Sequence, residues 1–236
     1  MKTPFLFVLS LVASSLLFAD EHGDLIFSDD FERTESQEEK DEPGNGWGTN
    51  SRTRAKGNKQ VDLVDGAMRI YIHEEADHAV SVTQPFEFTD GAVALRFKLE
   101  DDRDSIGLNF ADLKEKSVHA GHLFMVKISP KQVQINDLKT GNMKLEIREA
   151  RQNKTVTPEQ SKMLKEKQVK FPHKTEVGEW HDVLAQIDGD TFTLSLDGEK
   201  VGEFSSPGIA HPTKRMLRLS VPKNVVVDDV KFWRRK

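Results

Sequence analysis

The chain has 236 residues, 36% of them hydrophobic and 31% charged, no cysteine, and a formal net charge of −5. A length of this order suits one β-sandwich domain, which is the expectation here. The acidic balance argues against a nucleic-acid binder, which needs a basic surface, and against docking on anionic lipid. The missing cysteines rule out disulfides, and a domain of this size can bury enough core without them.

Lys2 precedes an almost unbroken apolar run from Phe5 to Phe18, and Ala19 then meets Asp20-Glu21. The run is short for a bilayer span and its flanks fit cleavage after Ala19. Residues 1–19 are therefore expected to be a signal peptide and 20–236 a single secreted or periplasmic domain with no membrane anchor after cleavage. The lack of cysteine suits a bacterial export.

Asp24-Leu-Ile-Phe-Ser28 reads as a first strand. The charged segment from Asp29 to Glu42 is the part nearest to disorder, and Pro43-Gly44-Asn45-Gly46 leads to Trp47 in an irregular loop. From Val61 the pattern becomes alternation. Val61–Asp65 runs into a turn at Gly66, and Ala67–Ile72 is its partner. After the polar tip His73–His78 come Ala79–Val82, then Val93, Leu95, Phe97 and Leu99, then Ile106, Leu108 and Phe110, each spaced by two. His122–Ile128, Gln132–Asp137, Asp182–Ile187, Thr191–Leu196, Lys200–Phe204, Met216–Val221 and Val225–Trp233 complete the strands. Period two with one apolar face marks half-buried strands. Asp188-Gly189 and Asp197-Gly198 sit between apolar runs as hairpin turns. Many short strands with little helix predict an all-β sandwich or barrel.

One helical insertion is expected near 157–169. Thr157-Pro158-Glu159-Gln160 supplies an N-cap, a proline at the first helical position and Gln at the third. Lys162, Lys165 and Lys167 make it basic.

Candidate site residues follow from the polar side of the strands. Arg96, Asn109 and Arg218 stand opposite the apolar face, and Gln134 is placed similarly. On a curved sandwich such residues line the concave face, where guanidinium and amide groups match sugar hydroxyls. His119 and His122 become ligand contacts if they share a groove with Arg96. Trp47 is the one tryptophan placed like a stacking platform. The acidic pairs Asp29-Asp30 and Asp228-Asp229 end the first strand and interrupt the last, strands expected to be neighbours. Asp30 and Asp229 are candidate ligands for a structural calcium, a hard cation that wants six to eight oxygens. The same side chains equally suit backbone N–H groups at strand ends.

Asp29-Asp-Phe31, Asp65-Gly-Ala-Met-Arg69, Gly178-Glu-Trp-His-Asp182, Leu196-Asp-Gly198 and Val227-Asp-Asp-Val-Lys-Phe-Trp233 resemble the concanavalin A-like lectin/glucanase superfamily. Their order is similar to laminin G-like domains and to the 3-keto-disaccharide hydrolase family. The resemblance implies a concanavalin A-like antiparallel jelly-roll sandwich. It also implies the catalytic strand of its glucanases, Glu-x-Asp-x-Glu, whose alternation puts the carboxylates on one face. No such spacing occurs here: Glu146-Ile-Arg-Glu149 lacks both the middle Asp and the period. Where the hydrolase family carries Asn-Ser-Gly-Ile followed by Arg, this chain has Asp104-Ser-Ile-Gly-Leu-Asn-Phe110. The leading expectation is a non-catalytic, carbohydrate-interacting domain. A glycoside hydrolase of the keto-disaccharide type and a protein-binding laminin G-like module are the alternatives.

Overall fold

The computed structural model describes residues 22–235, so the expected signal segment 1–19 lies outside the described residues. The chain begins with β1 (Asp24–Asp29), β2 (Gly48–Thr49), a short helix α1 (Ser51–Arg54), β3 (Val61–Val64), β4 (Ala67–Tyr71), β5 (Val80–Phe88) and β6 (Gly91–Lys98). It continues through β7 (Ile106–Ala111), β8 (His122–Ser129), β9 (Gln132–Asp137), α2 (Leu145–Gln152), α3 (Pro158–Glu166) and β10 (Gln168–Pro172). It ends with β11 (Trp180–Asp188), β12 (Thr191–Leu196), β13 (Glu199–Ser205), β14 (Lys214–Val221) and β15 (Asn224–Arg234). Two antiparallel sheets result. The eight-stranded sheet runs β13-β12-β11-β6-β15-β4-β3 with β1 added on β15, and the seven-stranded sheet runs β10-β9-β8-β7-β14-β5-β2. Among the described residues no helix is long and apolar enough to cross a membrane.

Alternation works as expected. Ile106, Leu108 and Phe110 of β7 and Leu217 and Leu219 of β14 enter the core between the sheets, which turns Asn109 and Arg218 outward. Phe110 stacks on Phe124 at 4.6 Å between centroids and meets Phe86 and, from the opposite sheet, Phe192 edge-on at 6.4 and 6.2 Å. Asp65-Gly66 and Asp197-Gly198 each hold both central turn residues at positive φ, as the tightest right-twisted hairpins require. In the β11–β12 hairpin Gly189 alone does so, so glycine takes the first central position there.

The capping box forms: the Gln160 amide donates to Thr157 Oγ1 at 3.2 Å and the Thr157 amide to Gln160 Oε1 at 3.0 Å. The helix stops at Glu166 rather than 169, because Val169 and Phe171 alternate onto the core and make β10 an edge strand on β9. α2 was not expected. Lys144 precedes it and gives no side-chain cap, and Ile147 is its one fully buried residue.

The acidic segment 29–42, nearest to disorder by composition, is an irregular loop tied down to the fold past β1. Its carboxylates act as acceptors for buried donors: Asp41 Oδ1 takes the Gln60 and Val61 amides at 2.7 and 2.9 Å, and Glu35 takes buried Lys59 at 2.7 Å. β1 and β15 are neighbours, as expected. At the last pair of their register, Asp29 gathers the Arg33 guanidinium at 2.6 and 3.0 Å, the Phe31 amide at 3.0 Å and the Trp47 indole N–H at 2.7 Å. Burial opposes ionisation of Asp29. Arg33, the Phe31 amide, Asn45 and Trp47 outweigh it and hold the carboxyl below its usual range. Trp47 is thus not a stacking platform. It is 7% exposed, with Phe27 and Phe31 each at 5.9 Å.

Asp29→Ala leaves the buried Trp47 indole N–H without its acceptor and the Arg33 guanidinium without its counter-ion, held by the Pro43 carbonyl. The expected cost is about 3–5 kcal/mol in urea unfolding. An unchanged midpoint and slope would remove this knot from the account.

Candidate functional site

Strand pairing assembles a row of outward side chains across the seven-stranded sheet. Gln168 pairs with Asn136, Asn136 with Met125, Met125 with Asn109, Asn109 with Arg218 and Arg218 with Thr83. One step along lie Lys170, Gln134, Lys127, Gly107, Ser220 and Ser81. The row is amide- and hydroxyl-rich, and Gln134 Nε2 ties it together by donating to Asn136 Oδ1 at 2.9 Å and Gln168 Oε1 at 2.7 Å.

At its centre stands a built cluster. Arg218 donates to the Ala120 carbonyl at 2.7 Å and lies 3.2 Å from His122 Nδ1, which is 3.0 Å from Asn109 Oδ1. Asn109 is only 3% exposed despite pointing outward. The chain between β7 and β8 folds back to reach this face. Its return needs Gly121, at φ +70°, where a Cβ would fall 2.3 Å from the Asp112 carbonyl oxygen. That approach brings up the turn His119–Gly121, and His119 stands 6.3 Å from His122 between ring centroids.

Electrostatics around the two rings point one way. Burial, then Arg218, His119 and His78, lowers His122 to about 4. Burial, then Arg148 of α2 and Arg218, lowers His119. Both are neutral at pH 7. Nδ1 of His122 either donates to Asn109 or accepts from Arg218; the ring is uncharged in each tautomer. Burial lowers the Arg218 guanidinium itself.

Asp112 anchors the base of the same turn. Its Oδ2 accepts from Arg215 at 2.6 Å and bonds His211 Nε2 at 3.1 Å, while Lys139 Nζ is 2.9 Å from His211 Nδ1. Burial raises the Asp112 pKa, and His211, the Lys114 amide and Arg215 more than offset it. This carboxylate is fully engaged in holding the turn.

Of the sequence-derived residues, Asn109, His119, His122 and Arg218 come together. Arg96 does not join them. It lies in β6 of the other sheet, 5.0 Å from the Trp180 ring, with Asp182 at 3.5 Å and Asp228 and Asp229 at 3.9 Å. Alternation told which face of its own strand Arg96 occupies, but not which sheet owns the strand. Asp30 and Asp229 line a separate hollow with Ser28, Asn45, Arg33 and Lys231. Asp30 accepts the Glu32 amide at 3.2 Å, and Asp229, at φ +50°, sits in a bulge of β15 where Asp228 takes its amide at 2.7 Å. Asp29 and Asp30 thus serve backbone amides at the end of β1, Asp228 serves one inside β15, and the Asp229 carboxylate faces Arg96 and Lys231 at 3.9 Å. Asp29 and Glu32 also line the hollow, and Arg33 and Lys231 stand among the four carboxylates as cations, Arg33 on Asp29 at 2.6 Å and Lys231 3.9 Å from Asp229. Among the described residues no three His, Asp or Glu side chains converge to hold a metal.

Asn136, Met125, Thr83 and Arg148 were not singled out from sequence. The first three become neighbours of the cluster only through strand order, and Arg148 through an uncapped helix.

No protein-family model matches the chain, and no curated protein does either. Solved structures are similar in fold. A carbohydrate binding module, CBM66 from Bacillus subtilis, aligns with a TM-score of 0.52 and 12% identity over 78% of this chain and 93% of that one. A laminarinase from Flavobacterium sp. UMI-01 aligns at 0.57 and 12%, over 89% and 100%. A GlcNAcα1-4Gal releasing endo-β-galactosidase from Clostridium perfringens aligns at 0.58 and 11%, over 89% of this chain but 62% of that one. The fold is the concanavalin A-like jelly roll.

A histidine kept neutral to about 4 in the fold and titrating near 6.5 in the unfolded chain leaves stability intact above 6.5. It withdraws stability as pH falls toward 4, because the unfolded chain takes up the proton first. Between pH 7 and about 4.5 the wild type should lose on the order of 2 kcal/mol more than His122→Gln in urea unfolding. Equal losses would mean that the ring is not held neutral.

Proposed function

We propose that this chain is an exported, non-catalytic β-sandwich that binds carbohydrate on the outer face of its seven-stranded sheet. The observation that carries the reading is the Arg218–His122–Asn109 cluster, held from three chain segments at the centre of a row of amides and hydroxyls. Sugar hydroxyls both donate and accept, and they are recognised by planar polar groups held at fixed spacing. Arg218 is held by the Ala120 carbonyl, which lowers the entropy lost when a ligand arrives. The likeness in fold to a carbohydrate binding module and a laminarinase agrees with a carbohydrate ligand.

The non-catalytic part rests on charge. The outward positions at the centre of the β7, β8, β9 and β14 registers are Gly107, Asn109, Met125, Lys127, Gln134, Asn136, Arg218 and Ser220. None is a carboxylate, whereas the acid and nucleophile of a retaining glycosidase stand about 5–5.5 Å apart on such a face. The nearby Asp112 is committed to Arg215 and His211.

Affinity electrophoresis of residues 20–236 through gels containing a panel of plant, algal and bacterial polysaccharides tests the reading. At least one should retard the wild type, and Arg218→Met should weaken that binding by about 10–100-fold, since a hydrogen bond to a charged group is at stake. Arg96→Met, on the other sheet, should bind like the wild type. A folded wild type retarded by no polysaccharide, or a loss at Arg96 rather than Arg218, would refute it.

A further inference from the structure

The guanidinium of Arg218 is partly buried, yet its two hydrogen-bond partners are a carbonyl oxygen and an imidazole. Among the described residues no carboxylate lies within ion-pair distance of it. Other partly buried arginines do have carboxylates, whereas Arg148 of α2, beside His119, shares with Arg218 the lack of one among the described residues. Arg33 pairs with Asp29, Arg96 with Asp182, and Arg215 with Asp112. A desolvated cation without a counter-ion is costly, and Arg218, unlike Arg33 and Arg215, is left without a carboxylate.

The surroundings add to the positive charge. Arg148 and Arg218 both disfavour a proton on His119, and Arg218 does the same to His122. Lys127 stands one register step away, exposed, with Lys170 beyond Gln134. Neither lysine has a carboxylate within ion-pair distance among the described residues. This concentration of cations lies on a chain whose net charge is −5. On the outer face of the other sheet, Arg96 is by contrast surrounded by Asp182, Asp228 and Asp229.

We propose that the Arg218 face takes the acidic group of a charged polysaccharide, the carboxylate of a uronic acid or a sulfate ester, in preference to a neutral glycan; this rests on the carbohydrate reading above. Both groups are planar or forked oxyanion acceptors that a guanidinium fork meets with two parallel hydrogen bonds. The amide row around Arg218 is left for the hydroxyls of the same sugar and its neighbours. The ligand thereby supplies the counter-ion that the fold withholds.

Calorimetric titration of residues 20–236 with polygalacturonate, a sulfated galactan, neutral laminarin and polyglutamate separates the outcomes. One acidic polysaccharide should bind about tenfold or more tighter than laminarin, and the preference should shrink between about 50 and 500 mM NaCl. Tight binding of polygalacturonate alone identifies a carboxylate, and of the sulfated galactan alone a sulfate. Arg218→Gln should erase the preference, with Arg218→Lys restoring only part of it, because an ammonium keeps the charge and loses the fork. Lys127→Gln, at an exposed position that tolerates change, should weaken the acidic ligand about twofold. Laminarin bound as well as the acidic polymers would overturn the inference and leave the carbohydrate reading standing. Polyglutamate bound as tightly as either polysaccharide would overturn it too, since charge alone would then suffice. Binding to none of the polysaccharides would overturn the carbohydrate reading itself.

Discussion

The registry of Phe110 governs the rest of the molecule. Its ring stacks on Phe124 from the next strand and meets Phe192 from the opposite sheet, so it locks β7 to β8 and one sheet to the other. Side chains alternate with period two, and a slip of one residue would exchange every inward group for an outward one. Here that exchange would bury Asn109 and Arg218 among phenylalanines, at a desolvation cost far above the gain from any new contact. The aromatic core therefore does more than exclude water. It fixes which polar groups face outward and aligns Asn109, Arg218, Met125 and Thr83 in one row.

On that frame the two faces have been given different electrostatics. On the eight-stranded sheet Arg96 is ringed by carboxylates, and it and Lys98 both lie over the Trp180 ring. The seven-stranded sheet keeps a guanidinium and two lysines without carboxylate partners, beside two histidines that burial and neighbouring arginines hold neutral. A self-satisfied surface gains little from a polar ligand, because each new bond replaces an old one. An open cation with a fixed orientation gains more. The asymmetry between the sheets is the physical basis for placing recognition on one of them.

Much of this was legible in the residues. Alternation located the core and turned Asn109 and Arg218 outward. The Asp-Gly turns and the Thr157 capping box behaved as their chemistry requires, and the two acidic pairs marked neighbouring strands. What was illegible depended on long-range pairing. Arg96 and Arg218 have the same local pattern, and only strand order separates them onto different sheets. Trp47 follows glycines that look like an exposed loop. It is buried because Asp29, distant in sequence, accepts its indole proton. The segment 29–42 is nearest to disorder by composition, and it is tied down by Lys59 and the Gln60 and Val61 amides, which its own residues do not announce.

The most direct test of recognition on the seven-stranded sheet is a nitrogen-15 NMR titration of residues 20–236 with a uronic-acid or sulfated oligosaccharide, following backbone amides and arginine Nε–H signals. The account predicts that shifts concentrate at Asn109, Ala120–His122, Met125 and the Arg218 side chain, while Arg96 and Trp180 stay still. Shifts centred on Arg96 and Trp180, with Arg218 unmoved, would contradict it.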